Sequence, residues 1–319
     1  MDFKKANFSH KEVKKILSLY PLNFKNPQIS NLSGIANNNY RVKDNDLDIA
    51  IKVYSHGQSD EEKVKQEVEA IKLFEKSGIK VPSLIDGKNG KTLQKYSGFN
   101  IAAAYFIEGE VFDTIEFTND RMFEVGKIVA EIEKVAETID VSKFKCMNLL
   151  EEFQYVSKNL DKEIAKRKYN FDLTQYKNNL ELVNKIIKKL DESNNKQFLH
   201  KDIWPWNLIN SPKGIYILDF NDWAIGSPII EVSVALLEFS MFKSKDFNVK
   251  VAKNIIDGYK SVKELSFTPE ELWETILFIC YLYFPYNVIQ ADDVFESEIY
   301  LKRIDTLLQN RNIFEKIIA

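Results

Sequence analysis

The pattern of apolar residues changes period near Gly109, and that change limits the folds open to the chain. Before it, short β-prone runs separated by turn residues fall at 29–33, 39–43, 49–54, 83–85, 92–95 and 101–107. Asp44-Asn45-Asp46 reads as a hairpin turn, and Gly87 and Gly90 mark a second turn. One helix is expected before these strands and one among them. One opens on a Ser9/Glu12 capping box and runs to about Tyr20. The other opens on Ser59/Glu62, carries Val64, Val68, Ile71 and Phe74 at helical spacing, and stops at Gly78. Beyond Gly109 the spacing is helical over 120–138, 149–166, 174–191, 228–242, 249–265, 269–283 and 296–308. Only a strand-loop-strand over 198–220 interrupts that half. The expectation is an α+β chain of two lobes: residues 1–108 with an antiparallel sheet and an inserted helix, and a larger, mainly helical lobe of residues 109–319.

At 319 residues, 45% hydrophobic and 29% charged with only 11 Gly and 8 Pro, the chain can bury two such cores, and disorder is not expected. Forty-four Lys and Arg against 47 Asp and Glu leave no basic field that advertises nucleic acid or an anionic membrane. The longest apolar stretch, 277–285, is too short to span a bilayer and reads as a buried helix; residues 1–9 do not read as a signal peptide. Cys146 and Cys280 lie far apart in apolar surroundings, which suits a reduced, cytoplasmic setting.

The chemistry concentrates in one loop. His200 is followed two residues later by Asp202, and Asp202 five residues later by Asn207; an apolar strand at 215–218 then ends on Asp219-Phe220. Phosphoryl transfer needs a carboxylate near the acceptor hydroxyl and hard oxygens for a magnesium ion that bridges phosphates. Asp202 suits the first task, Asn207 and Asp219 the second, and His200 reads as a residue that holds the loop. An isolated Asp of this kind is usually a turn or cap residue, so the spacing of all three carries the reading.

These residues resemble the aminoglycoside phosphotransferase and choline kinase-like group, which shares the protein kinase fold and includes two-lobed homoserine kinases. The resemblance spans about Leu32 to Glu238. It implies a kinase that uses ATP or GTP with Mg²⁺ to phosphorylate a hydroxyl of an amino acid, amino alcohol, sugar or aminoglycoside. Asp202 is then the base, and Asn207 and Asp219 are the metal ligands. Ala50-Ile51-Lys52 resembles the nucleotide-binding strand, which sets Lys52 on the α- and β-phosphates with Glu67 as its ion-pair partner, Glu62 and Glu69 being competitors. The turn from Ser33 to Asn39 stands where a phosphate-covering loop is expected; it has one glycine, and Ser33, Asn37 and Asn38 are its candidate phosphate donors. Tyr105 to Gly109 resembles the hinge, so the backbone of Phe106 and Ile107 is expected to meet the adenine edge.

The sequence also departs from the family pattern. Trp206, with Trp204 two residues before it, stands where a small residue is usual before the loop asparagine. Glu133 occupies a histidine position, and Glu231 replaces an aspartate that opens the helix after the metal strand. Trp204, Trp206 and Trp223 read equally well as packing residues or as substrate stackers. Asp222 reads as a cap for the turn at 226–228 or, less well, as a further metal ligand. Asp292, Asp293, Glu296 and Glu298 read as a solvated helix start that could also attract an amine. The rival expectations are a protein-directed kinase, opposed by the absence of Asp-Phe-Gly, and a silent scaffold that keeps the fold.

Overall fold

The computed structural model describes residues 7–32, 37–55, 61–146, 148–291 and 293–318, and their backbone contacts divide the chain into two compact units. The first comprises Met1–Gly109 together with Ile209–Asn221; the second comprises Glu110–Leu208 and Asp222–Ala319. Asp219 therefore belongs to the first unit, although it lies in the second half of the sequence.

In the first unit α1 (His10–Leu17) precedes β1 (Gln28–Leu32), β2 (Asn38–Asp44) and β3 (Leu47–Val53). Then come α2 (Glu61–Lys76), β4 (Leu84–Ile85), β5 (Gln94–Tyr96) and β6 (Phe99–Tyr105). The sheet order is β1-β2-β3-β6-β4, with β5 also paired to β6, and each pairing is antiparallel. The Ser9/Glu12 capping box forms as the sequence implied, and the β2–β3 turn is closed by Asn45 at φ +48, a conformation Asn tolerates better than most residues. Ser59, read as the cap of α2, lies outside the described residues.

Alternation along β3 sorts its side chains between the two faces of the sheet. Ile49, Ile51 and Val53 join Val13, Ile16 and Leu17 of α1, and Tyr40 and Val42 of β2, in one core. Ala50 and Lys52 take the opposite face. The returning hairpin of β9 (Leu208–Ser211) and β10 (Gly214–Ile217) adds to this unit through an Ile217 N–H to Lys80 carbonyl bond of 2.9 Å and through Phe220, whose ring lies 5.6 Å from that of Phe74 on α2.

The second unit begins with the short β7 (Glu110–Val111) and continues through α3 (Asn119–Ala136), α4 (Leu149–Arg167), α5 (Thr174–Asn178) and α6 (Leu180–Asp191). After β8 (Gln197–Leu199) and β11 (Ala224–Gly226), which pair antiparallel, come α7 (Ile229–Ser240), α8 (Val249–Lys260), α9 (Pro269–Tyr286), α10 (Val294–Gln309) and α11 (Ile313–Ile318). The helix expected over 174–191 breaks at Asn179, and α11 lies beyond the last helix that the sequence pattern implies.

Every residue of α7 is buried, which makes it the central helix of this unit. Against α3 lies α8, so close that a Cβ added at Gly126 would run into the Ile255 carbonyl and one at Gly258 into the Phe123 carbonyl. The segment Pro269–Ile289 is longer than the apolar run alone implied and passes the length and hydropathy test for a membrane span, yet 72% of its most apolar window is buried within the protein. It is a core helix, as read from the sequence.

Candidate functional site

In the first unit the site is organised around one ammonium group. Lys52 Nζ lies 2.9 Å from Glu67 Oε1, 2.9 Å from Asp219 Oδ1 and 3.0 Å from Asn221 Oδ1. Three elements deliver these groups: β3 turns Lys52 away from the core around α1, α2 presents Glu67 from its buried face, and Asp219 follows two residues after the end of β10. Asp219 has φ +57, a strained backbone for a non-glycine residue. The Tyr54 hydroxyl donates to Glu67 Oε1 at 3.1 Å, and the Lys52 ammonium sits 4.9 Å from the centre of the Tyr54 ring.

Burial pushes the Glu67 carboxyl up and Lys52 pulls it back, while burial alone would lower Lys52; Asp219 and Glu67 outweigh it and hold the ammonium well above its ordinary range. Lys52 therefore stays charged. Of the competitors for the pairing, Glu62 accepts from Gln66 and Glu69 is exposed. Asn221, which stands where Asp-Phe-Gly would have its glycine, supplies an oxygen to Lys52, and only its position two after Asp219 points to it in the sequence.

Ser33 lies outside the described residues. Asn37 is 3% exposed; its Oδ1 accepts the Ser55 N–H at 3.1 Å, and its Nδ2 is buried without a partner among the described residues. Asn38 opens β2 opposite Val53. At the expected hinge, the Phe106 N–H already donates to the Asp48 carbonyl at 2.9 Å, and the Arg41 guanidinium covers the Phe106 ring at 3.7 Å. The Phe106 N–H is thus committed within the sheet, and an adenine edge would have to use the Phe106 carbonyl and the half-buried Ile107.

In the second unit β8 leads into the loop 200–207. His200 is fully buried, and its Nδ1 accepts the Asp202 N–H at 3.2 Å. Asn207, in a single 3₁₀ turn opened by Pro205, donates Nδ2 to Asp202 Oδ2 at 2.6 Å and to the Asp202 carbonyl at 3.0 Å. The amide nitrogen thus fixes the carboxylate, and among the described residues the Asn207 Oδ1 accepts from nothing. Glu231, at the start of α7, accepts the His200 N–H at 2.5 Å and the Lys201 N–H at 3.2 Å, so the longer carboxylate holds the loop from below. Burial drives its carboxyl up to about 7, opposed by those two amides and raised further by the charge of Glu133. Glu133 is itself buried and bonded to Tyr259 and Lys263.

The tryptophans separate. Trp223 is buried and stacks on Phe198 at 5.4 Å, so it belongs to the core. Trp206 is 46% exposed, 6.2 Å from the Trp204 ring and under the Lys243 ammonium at 5.4 Å; the Trp204 Nε1 is buried without a partner among the described residues. The N-cap position of α7 is Pro228, with no side-chain acceptor, and the charge of Asp222 acts on Lys201. Asp292 lies outside the described residues, Asp293 caps α10, and Glu298 pairs with Lys302 at 3.3 Å. Burial raises the carboxyl of the half-buried Glu296.

Among the described residues no three His, Cys, Asp or Glu side chains cluster tightly enough to hold a metal ion on their own. Taken singly, the Asn207 amide oxygen in the second unit and the Asp219 carboxylate in the first are hard oxygens of the kind Mg²⁺ takes, an ion that commonly accepts one or two protein oxygens and fills its octahedron with water and phosphate. The orphaned Asn37 Nδ2 likewise suits a phosphate oxygen as acceptor.

A sequence model described as the phosphotransferase enzyme family matches residues 28–270. No curated protein matches the sequence significantly. Among solved structures, an amicoumacin kinase in complex with AMP-PNP and Ca²⁺ is 14% identical, with a TM-score of 0.74 over 95% of this chain and 94% of its own. The choline kinase of Cryptosporidium parvum is 16% identical, with a TM-score of 0.69 over 97% and 98% of the two chains. A microcompartment-associated aminopropanol kinase is 14% identical, with a TM-score of 0.68 over 97% of each. Likeness at these identities concerns the fold, which is that of the small-molecule kinases.

Proposed function

Because the chain belongs to the phosphotransferase enzyme family, and is thereby a phosphotransferase with an alcohol group as acceptor, we propose that it transfers the γ-phosphoryl group of ATP or GTP to a small amino acid, amino alcohol, sugar or aminoglycoside in the cytoplasm. The observation that carries this reading is the Asn207 amide. It spends both described bonds of its nitrogen on Asp202 and keeps its oxygen free of described donors. One residue thereby orients a carboxylate and retains a hard ligand.

In this mechanism Asp202 accepts the proton of the acceptor hydroxyl as the oxygen attacks phosphorus. Its carboxylate is held by Asn207 and its backbone by His200, so little reorganisation is needed at the moment of transfer. Lys52 neutralises phosphate charge and is itself held by Glu67. Asn207 and Asp219 are the proposed holders of Mg²⁺, which when bound offsets the charge that develops on the phosphate oxygens. Asn37 and Asn38 are proposed as phosphate donors, and the Phe106 carbonyl with Ile107 as the adenine contact; Ser33 stays in the proposal on sequence grounds alone.

The kinases of amicoumacin, choline and aminopropanol that share the fold act on small molecules, which supports an acceptor of that size. The test is an array of hydroxyl-bearing amino acids, amino alcohols, sugars and aminoglycosides, scored by consumption of ATP and of GTP with Mg²⁺. Nucleotide consumed only with one acceptor class supports the reading. Transfer to general protein substrates, with none to the array, would replace it with a protein-directed kinase.

A further inference from the structure

Lys201 stands between His200 and Asp202 and looks in the sequence like a spacer. In the structure all three of its bonding groups are engaged, each by a different helix of the second unit. Its N–H donates to Glu231 of α7 at 3.2 and 3.3 Å, and its carbonyl accepts the Tyr283 hydroxyl of α9 at 2.7 Å. Its ammonium lies 2.8 and 3.0 Å from the two carboxylate oxygens of Glu152 on α4. The residue is 7% exposed, and the side chain of Glu152 is 23% exposed.

The backbone makes this arrangement informative. Lys201 has φ +62, a conformation glycine adopts freely and other residues adopt only against steric resistance. A loop that needed only the turn would be served by glycine. What lysine adds is an ammonium reaching α4, and burial makes that ammonium unfavourable unless it is paired. Burial pulls its pKa down, but Glu152 first and Asp222 second hold it above the ordinary lysine range, so the charge persists.

We infer that the Glu152–Lys201 ion pair, with the Tyr283 hydroxyl, is a positioning device for Asp202. The peptide plane between Lys201 and Asp202 is anchored at its oxygen by Tyr283 and at its nitrogen by His200. Rotation at Lys201 would swing the Asp202 carboxylate, and the grip of Glu152 on the ammonium opposes that rotation. Lys201 is thus a positioning residue that acts through Asp202. The inference rests on Asp202 serving as the base.

The test uses the full chain and the acceptor found in the array. Glu152→Gln keeps the shape and removes the charge. The expected result is a kcat lower by about tenfold to a hundredfold, the range for a misplaced reacting group, with the nucleotide KM within about twofold and most of kcat retained in Lys201→Arg. Should Glu152→Gln fail to fold, Tyr283→Phe removes a single hydroxyl and is expected to lower kcat several-fold in the same manner. A Glu152→Gln enzyme with wild-type kcat and only a lowered unfolding temperature overturns the inference and makes the pair merely structural.

Amide hydrogen exchange over Asp202–Asn207 gives a readout independent of turnover. Exchange about tenfold faster in Glu152→Gln supports the clamp, and unchanged exchange refutes it. A wild-type protein that consumes no nucleotide with any acceptor refutes the kinase reading instead, so the two failures are distinguishable.

Discussion

Glu231 allows a quantitative test of how the loop 200–207 is held. Its carboxyl is 1% exposed, accepts the His200 and Lys201 amides, and is pushed by burial from an ordinary 4.5 up to about 7. Moving a titration that far corresponds to about 3 kcal/mol. Between pH 4.5 and 7 the native protein keeps a proton that the unfolded chain has released. The native state therefore binds more protons in this window, and stability falls as pH rises through it, levelling off above about 7. From pH 5 to pH 8 the loss from this group alone is about 2–3 kcal/mol. Glu231→Gln removes the titration. It also replaces one acceptor oxygen with a donor, which leaves one loop amide worse satisfied by about 1–3 kcal/mol at every pH.

The two effects separate because only the first depends on pH. Urea unfolding of wild type and Glu231→Gln at pH 5, 6, 7 and 8 should show the variant less stable at pH 5, with the gap narrowing or reversing by pH 8. All 4 tryptophans, Trp204, Trp206, Trp223 and Trp273, lie in the same unit as Glu231, so indole fluorescence follows the unfolding of that unit. Parallel stability curves for the two proteins across this range would show that Glu231 does not titrate between its two states, and would refute the view that its burial is incompletely offset by the loop amides.

Asp202→Asn should lower transfer by about a thousandfold, within the span of general-base contributions, while Mg-ATP still raises the unfolding temperature; full turnover by this variant removes Asp202 as the base. Lys52→Met should abolish the stabilisation by nucleotide seen in thermal-shift measurements, since it removes the charge that Glu67 and Asp219 position. Gly258→Ala should destabilise the second unit by about 1–3 kcal/mol or more, because the added methyl meets the Phe123 backbone rather than a yielding side chain; chemical denaturation checks this. Arg303→Met leaves Glu238 buried without its guanidinium, from a pair with N–O distances of 3.5 Å, and should cost about 3–5 kcal/mol, read from the same unfolding curves.

What could be read from the sequence and what could not differ in the range of the interactions involved. Ser9 and Glu12 bond to each other, so their spacing is enough to reveal the helix start. Asp202 and Asn207 likewise contact each other within one turn of loop. The sheet of the first unit follows from alternation, because a strand with one buried face must repeat every second residue. Partners across long separations leave no such trace. Glu152 is just another acidic residue in the first turn of a helix until the fold brings it to Lys201, and the same holds for Tyr283 on α9. Asn221 was visible only as a missing glycine, although its oxygen completes the ring of acceptors around Lys52. The break at Asn179 has no Gly or Pro to announce it. The loop that carries the chemistry shows the division best: its reacting groups could be found from spacing, whereas the groups that hold it still come from α4, α7 and α9. For that reason substitutions at Glu152 and Tyr283, remote in sequence from Asp202, are the more demanding test of how the loop is held.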